Sequence, residues 1–192
     1  MTGKGNYRDT VAVTNKYKGN REGTIKPFYY DEVRAYLINM HRAIVVDGME
    51  ADDALGLAQT GDTVLCSKDK DLDTIPGKHF NWDKLERGIY IVTEDEANAF
   101  FYKQVLMGDS TDNIISIHGL GPKTADKLLA TCTNEQERYD VCLGVYKEKA
   151  TYERLIENMY LLFIQGGKHL AILGEGYERV WTENCMCKEK QE

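Results

Sequence analysis

The chain has 192 residues, a formal net charge of −7 and an ordinary apolar share of 42%, which suits one globular core, or one domain with a helical extension. No apolar run approaches the length of a membrane span, and the start, Met-Thr-Gly-Lys-Gly, carries no apolar signal segment, so a membrane protein and a secreted one are both unexpected. The cysteines at 66, 132, 142, 185 and 187 are scattered, which fits a reduced, cytoplasmic protein; Cys185-Met-Cys187 lacks any neighbour that would complete a metal site.

Net acidity argues against nucleic acid until the charges are read by position. Seven acidic residues fall into three short clusters, and the first 26 residues carry Lys4, Arg8, Lys16, Lys18, Arg21 and Lys26, a local positive patch. Residues 1–27 are polar, dotted with glycine and without periodicity, so a loop or arch is expected there. It contains Tyr17-Lys18-Gly19-Asn20-Arg21.

Residues 28–40 place Val33, Tyr36, Leu37 and Met40 at helical spacing, with Asp31 and Glu32 at the dipole-favoured start. The β-branched run at 43–46 predicts a buried strand, followed by Asp47-Gly48 and the first acidic cluster, Glu50, Asp52 and Asp53. Residues 63–66 predict a second buried strand, followed by Asp69 and Asp71 at a spacing that faces both to one side of an extended segment. Short strands are expected at 79–82 and 89–93, then an amphipathic helix over 94–107 with Ala97, Phe100, Phe101, Val105 and Leu106 inward. Acidic clusters at the ends of successive elements predict one edge of a mainly parallel sheet flanked by helices.

Residues 107–129 join two chemistries. Asp109 and Asp112 are three apart, close enough to act together on a turn or helix end. Gly119-Leu120-Gly121-Pro122-Lys123-Thr124 follows, with glycines that permit close backbone approach and a proline suited to the first helical position. Amides at such a helix start, beside Lys123 and Thr124, suit a phosphate. Helices are expected over 135–148 and 152–164, a stop at Gly166-Gly167, and a charged tail from 182. The four histidines (41, 79, 118, 169) are dispersed and need no catalytic role.

Each acidic cluster alone reads as capping or surface charge. Three together, each at an element end, form a hard-oxygen set that suits Mg2+ or Mn2+, and two such ions about 4 Å apart support phosphodiester hydrolysis. No twelve-residue calcium loop with a terminal glutamate is present.

The combination of Gly108-Asp109-x-x-Asp112-Asn113-Ile114 with Gly119-x-Gly121-x-Lys123-Thr124-Ala125-x-x-Leu128-Leu129 resembles the 5′–3′ exonuclease and flap endonuclease family, in its bacteriophage and bacterial form. The resemblance is specific from about residue 6 to 129 and general beyond. It implies a PIN-like α/β nuclease domain over 1–107, a helical DNA-binding region with a helix-three-turn-helix over 108–181, and a tail over 182–192. It implies metal ligation by Glu50, Asp52, Asp53, Asp69, Asp71, Asp109 and Asp112, and leaves Asp47 and Asp73 as surface charge. It also implies that Tyr17 stacks on a base, that Lys18 and Arg21 hold the scissile phosphate, and that Gly119, Gly121, Lys123 and Thr124 contact duplex DNA, with K+ at the hairpin.

The chain departs from the family pattern at its start. Members begin with a central strand ending in a metal-binding aspartate and carry another before the Tyr-Lys-Gly-Asn-Arg region, whereas Asp9 does not match that place. A sheet short of its first strand, a site short of one or two ligands, and a separate chain supplying them are therefore expected. The implied activity is metal-dependent cleavage of DNA at 5′ ends, flaps and junctions in the cytoplasm, that of the host if phage-encoded. The alternatives are a non-catalytic DNA-structure-binding remnant, a split-gene fragment, and a related ribonuclease, for which the glycine hairpin is unexpected.

Overall fold

A computed structural model describes residues 1–115 and 117–165. Gly166-Gly167, His169, Cys185, Cys187 and the tail lie outside the described residues.

The chain opens on a one-turn helix α1 (Arg8–Val11), passes through a loop with a 3₁₀ turn at Gly19–Arg21, and forms α2 (Tyr30–His41) and α3 (Ala51–Ala58). Helix α2 has the expected acidic first turn and ends at Arg42 in the left-handed conformation, φ 54°. None of its residues is buried. The expected strand at 43–46 is not a strand: it makes a single parallel bridge, Thr2 to Val46, and leaves Ile44 exposed. Among the described residues the start of the chain lies beside it (Val46 N–H to Met1 O, 3.0 Å; the terminal ammonium to Ile44 O, 2.7 Å), and one bridge does not propagate a ladder.

The sheet contains β1 (Val64–Cys66), β2 (Gly77–Phe80) and β3 (Ile89–Val92) in that order. Leu65 pairs with His79 in the parallel β1–β2 ladder, and His79 with Tyr90 in the antiparallel β2–β3 ladder. The expectation of a mainly parallel sheet is thus corrected to a small mixed one. The β2–β3 link, residues 81–88, carries only a one-turn 3₁₀ segment and no crossover helix, which forces the antiparallel return. His79 is buried, its Nε2 2.8 Å from Ile75 O. Asp73, expected to be free surface charge, accepts from Tyr90 Oη at 2.8 Å; Asp47 Oδ1 likewise accepts from Lys4 N–H at 2.6 Å.

Helix α4 (Glu94–Met107) starts on a reciprocal Thr93–Glu96 capping box and ends at Gly108, φ 68°. Then come α5 (Pro122–Leu129), α6 (Glu135–Lys149) and α7 (Tyr152–Leu162), the last two capped by the side chains of Asn134 and Thr151. One core joins Phe101, Tyr102, Val105 and Leu106 of α4 to Leu129, Cys142, Tyr146, Leu155 and Met159 of the later helices. Tyr146 Oη donates to Val105 O (2.6 Å) and accepts from Asn158 Nδ2 (2.8 Å), so this buried hydroxyl is fully paired. Residue 107, expected as a boundary from sequence, is the last residue of α4 and packs against this core. A smaller cluster, Leu65, Leu72, Ile75 and Ile164, seats the sheet. No helix among the described residues is long and apolar enough to cross a membrane.

Candidate active site

The three acidic clusters meet at one end of α4, each delivered by a local device. Glu50 is the N-cap of α3, and Asp52 and Asp53 lie in its first turn. Asp69 caps the 3₁₀ turn Lys70–Thr74, its Oδ1 accepting from Asp71 N–H at 3.0 Å. Asp71 is then held by Gln104 of α4, whose Nε2 donates to its Oδ1 at 2.7 Å. Asp109 and Ile114 pair across a closed loop (Asp109 N–H to Ile114 O, 3.0 Å; Ile114 N–H to Asp109 O, 2.7 Å), and Asp109 Oδ1 accepts from Thr111 N–H at 2.7 Å. That loop returns Asp112 to the same side.

Glu50, Asp52, Asp71, Asp109 and Asp112 share one cavity of about 40 Å³ with Arg8 and Tyr17. A site for one water needs about 10–15 Å³, so a small cation with part of its hydration shell fits there. Burial, then the neighbouring Asp69 and Glu50, push the Asp52 carboxyl up to about 6; burial, then Asp69, Asp109 and Asp112, do the same to Asp71, again to about 6. The three clusters therefore feel one another across long sequence separations. Among the described residues no three acidic, histidine or cysteine side chains form a closed metal cage. The negative charge is met instead by protein cations. Lys18 Nζ bonds Glu50 and stands 3.5 Å from Asp112, while Arg21 Nη2 contacts Asp112 Oδ1 at 2.5 Å.

Two sequence assignments change on this geometry. Asp53 is fully buried, gripped by both guanidinium nitrogens of Arg8 (2.6 and 2.9 Å) and by the amides of Glu50 and Gln165 (each 3.0 Å). Both oxygens are thereby taken up within the protein. Tyr17, expected to present its ring to a base, is instead packed in the main core at 5% exposure. Its hydroxyl lies 3.0 Å from Glu50 Oε2 and 2.8 Å from Asp112 Oδ2, and burial followed by Glu50 raises its pKa far above the ordinary range, keeping it a neutral donor.

The glycine hairpin follows. Leu120 N–H bonds Ile117 O at 3.0 Å, closing a turn in which Gly119 takes φ 75°, and Pro122 is the first residue of α5. Ile117 and Leu120 are buried and anchor the hairpin, while Gly119, Gly121, Lys123 and Thr124 are exposed. A groove of about 530 Å³ runs from Asp71 and Asp109 to Gly121 and Pro122, linking the carboxylates to this helix start.

Four residues were not singled out from sequence: Arg8 as a buried anchor, Gln104, Asn20 and Asn113. Gln104 carried a readable signal, a polar residue inside the inward-facing stripe beside Phe101 and Val105. Arg8 carried none that distinguished it from the other cations of the first 26 residues.

No family model matches the chain. Curated relatives include the 5′-3′ exonuclease of Buchnera aphidicola subsp. Schizaphis graminum, 29% identical over 153 residues (71% of this chain, 53% of that protein). They also include the exonuclease of Escherichia phage T7, 30% identical over 132 residues (64% and 43%), and the 5′-3′ exonuclease of Bacillus subtilis, 30% identical over 131 residues (60% and 38%). The chain spans about half the length of the curated relatives it matches. Among solved structures, the bacteriophage T5 flap endonuclease in a complex with DNA and metal ions superposes with a TM-score of 0.62 at 19% identity, covering 96% of this chain and 81% of that one. The T5 5′-exonuclease with bound zinc gives 0.59 at 18% identity, covering 96% and 82%. The resemblance to 5′–3′ exonucleases thus holds in sequence, and the α/β fold is shared with the T5 enzyme.

Proposed function

We propose that this chain is a divalent-metal-dependent 5′-nuclease, an exonuclease or flap endonuclease that hydrolyses DNA phosphodiesters at 5′ ends, flaps and duplex junctions. The observation that carries the reading is the convergence of three separate acidic clusters on one small cavity beside a loop of two cations. The mutual crowding of the carboxylates fits a hard dication: two of them are pushed to about 6 by burial and by each other, and positive charge relieves that repulsion. Glu50, Asp52, Asp69, Asp71, Asp109 and Asp112 would hold Mg2+ or Mn2+, with Asp53 holding the frame through Arg8.

When bound, such ions supply an activated water and neutralise the leaving oxygen. The chain's own residues supply the rest. Lys18 and Arg21 turn from the carboxylates to the scissile phosphate and stabilise its developing charge. Tyr17, whose one hydroxyl proton is within reach of both Glu50 and Asp112, keeps the two carboxylates aligned. The exposed amides at Gly119 and Gly121, with Lys123 and Thr124, take duplex phosphates as one arm of a helix-three-turn-helix in residues 108–181. K+ at the hairpin rests on the family resemblance.

The second reading, a non-catalytic DNA-structure-binding protein, is favoured by one fact: no closed cage of ligands forms among the described residues. Incubation with a labelled 5′-flap duplex and Mg2+ separates the two. The nuclease reading expects shortened product from the wild-type chain and none from Asp109→Ala. Equal binding and no cleavage by either would leave the binding reading.

A further inference from the structure

Two asparagines inside the chemistry-bearing segments have no role in the scheme above, and each bonds the backbone of the loop that carries the other. Asn20 Nδ2 donates to the carbonyls of Ser110 (2.9 Å) and Thr111 (3.2 Å). In return Asn113 Nδ2 donates to the carbonyl of Lys16 at 2.9 Å. Each asparagine thus reaches out of its own loop to the backbone of the other. Between them Lys18 N–H donates to Asp112 O at 2.9 Å, and Arg21 Nε to Thr111 O at 3.3 Å.

The fit is close. A methyl group on Gly19 would stand 3.1 Å from Lys16 Cβ of its own loop and in ordinary contact, 3.5 Å, with Asn113 Nδ2 across the interface. One non-glycine residue on each side, Lys18 (φ 53°) and Asn113 (φ 62°), adopts the left-handed conformation, a cost that persists where surrounding contacts over-determine it.

We propose that Asn20 and Asn113 form a reciprocal clasp that registers the Lys18–Arg21 loop over the Asp109–Asp112 loop, and that both are positioning residues for the phosphate grip. The proposal rests on the nuclease reading for the purpose of that grip, and on the structure alone for the clasp. Its bonds run from neutral amides to backbone carbonyls, so they do not depend on the charge of the carboxylates. Lys18 and Arg21 can exchange a carboxylate for a phosphate while the loop backbone stays in place. A loop tethered only by its ion pairs would be released whenever those pairs were exchanged.

The test uses Asn20→Ala and Asn113→Gly, the glycine chosen because it accepts the left-handed backbone. Three readouts are taken on the full chain: hydrogen exchange at residues 16–21, affinity for a 5′-flap duplex in chelator, and Mg2+-dependent cleavage of that duplex. The clasp expects faster exchange at the Lys18 amide, affinity and kcat/KM each lower by about tenfold or more, and a nearly unchanged melting temperature. On a Lys18→Met/Arg21→Met background, the same changes should still open the loop and cost no further affinity; a merely structural role would cost the same on both backgrounds. Unchanged exchange at 16–21 in both variants overturns the clasp. Faster exchange with affinity and cleavage intact overturns its positioning role. If the wild-type chain binds the flap without cleaving it, the nuclease reading fails, and the exchange and affinity readouts still judge the clasp.

Discussion

Two ion-pair regions draw their cations from one short stretch of chain and behave as opposites. Arg8 and Asp53 are 2% and 0% exposed, bidentate, and tied further to the Leu161 and Phe163 carbonyls. Lys18, Arg21, Glu50 and Asp112 use the same side-chain chemistry at the open rim of the cavity, with Lys18 27% and Arg21 49% exposed against 13% and 19% for the two carboxylates. Removing one partner of a buried pair strands the other charge at about 3–5 kcal/mol, whereas an exposed pair contributes about 0–1 kcal/mol. The first pair is therefore part of the fold, fastening α1 to α3 and the end of α7. The second can be exchanged at little cost, which is what a phosphate grip needs.

The contrast can be broken from either side. Arg8→Met should lose about 3–5 kcal/mol of stability in denaturant unfolding, with Asp53→Asn destabilising in the same direction. A loss under 1 kcal/mol would show that the anchor is dispensable. Asp109→Ala should abolish Mg2+-dependent cleavage, by about 10³-fold or more, with little loss of stability, because it removes one of several mutually repelling carboxylates. Lys18→Met should reduce cleavage by about 10²-fold and change stability by less than about 1 kcal/mol, the inverse of the Arg8 result.

The smallest effect is a pH slope. In chelator, the Asp52 and Asp71 carboxyls sit at about 6 in the folded protein against an ordinary 3.8, so the folded state holds their protons more tightly than the unfolded one. Their stabilising contribution is present at low pH and lost as pH rises from 3.8 through about 6. Melting temperatures in chelator should fall across that window, and Asp52→Asn with Asp71→Asn should flatten the slope.

What could be read from sequence followed the range of the forces involved. Helix α4 was legible to its ends because Thr93, Glu96 and Gly108 are local caps acting on a local pattern. The acidic clusters were legible as a set because their residue types carry the chemistry. The strand at 43–46 failed because strand formation depends on partners, and among the described residues the run finds a single bridge, Val46 to Thr2. Asp53 failed for a related reason. Its neighbour Asp52 has the same side chain, and the partners that set Asp53 apart, Arg8 and the Gln165 amide, lie 45 and 112 residues away. Tyr17 was misjudged because burial of a loop tyrosine is decided by α4 and the later helices, not by its own segment.

The most direct measurement is calorimetric titration of Mn2+ into the wild-type chain and into Asp71→Asn/Asp109→Asn. Saturable binding by the wild type and its loss in the double variant is the predicted result. Equal heats from both, or none from the wild type, would contradict a shared cation site built from the three clusters.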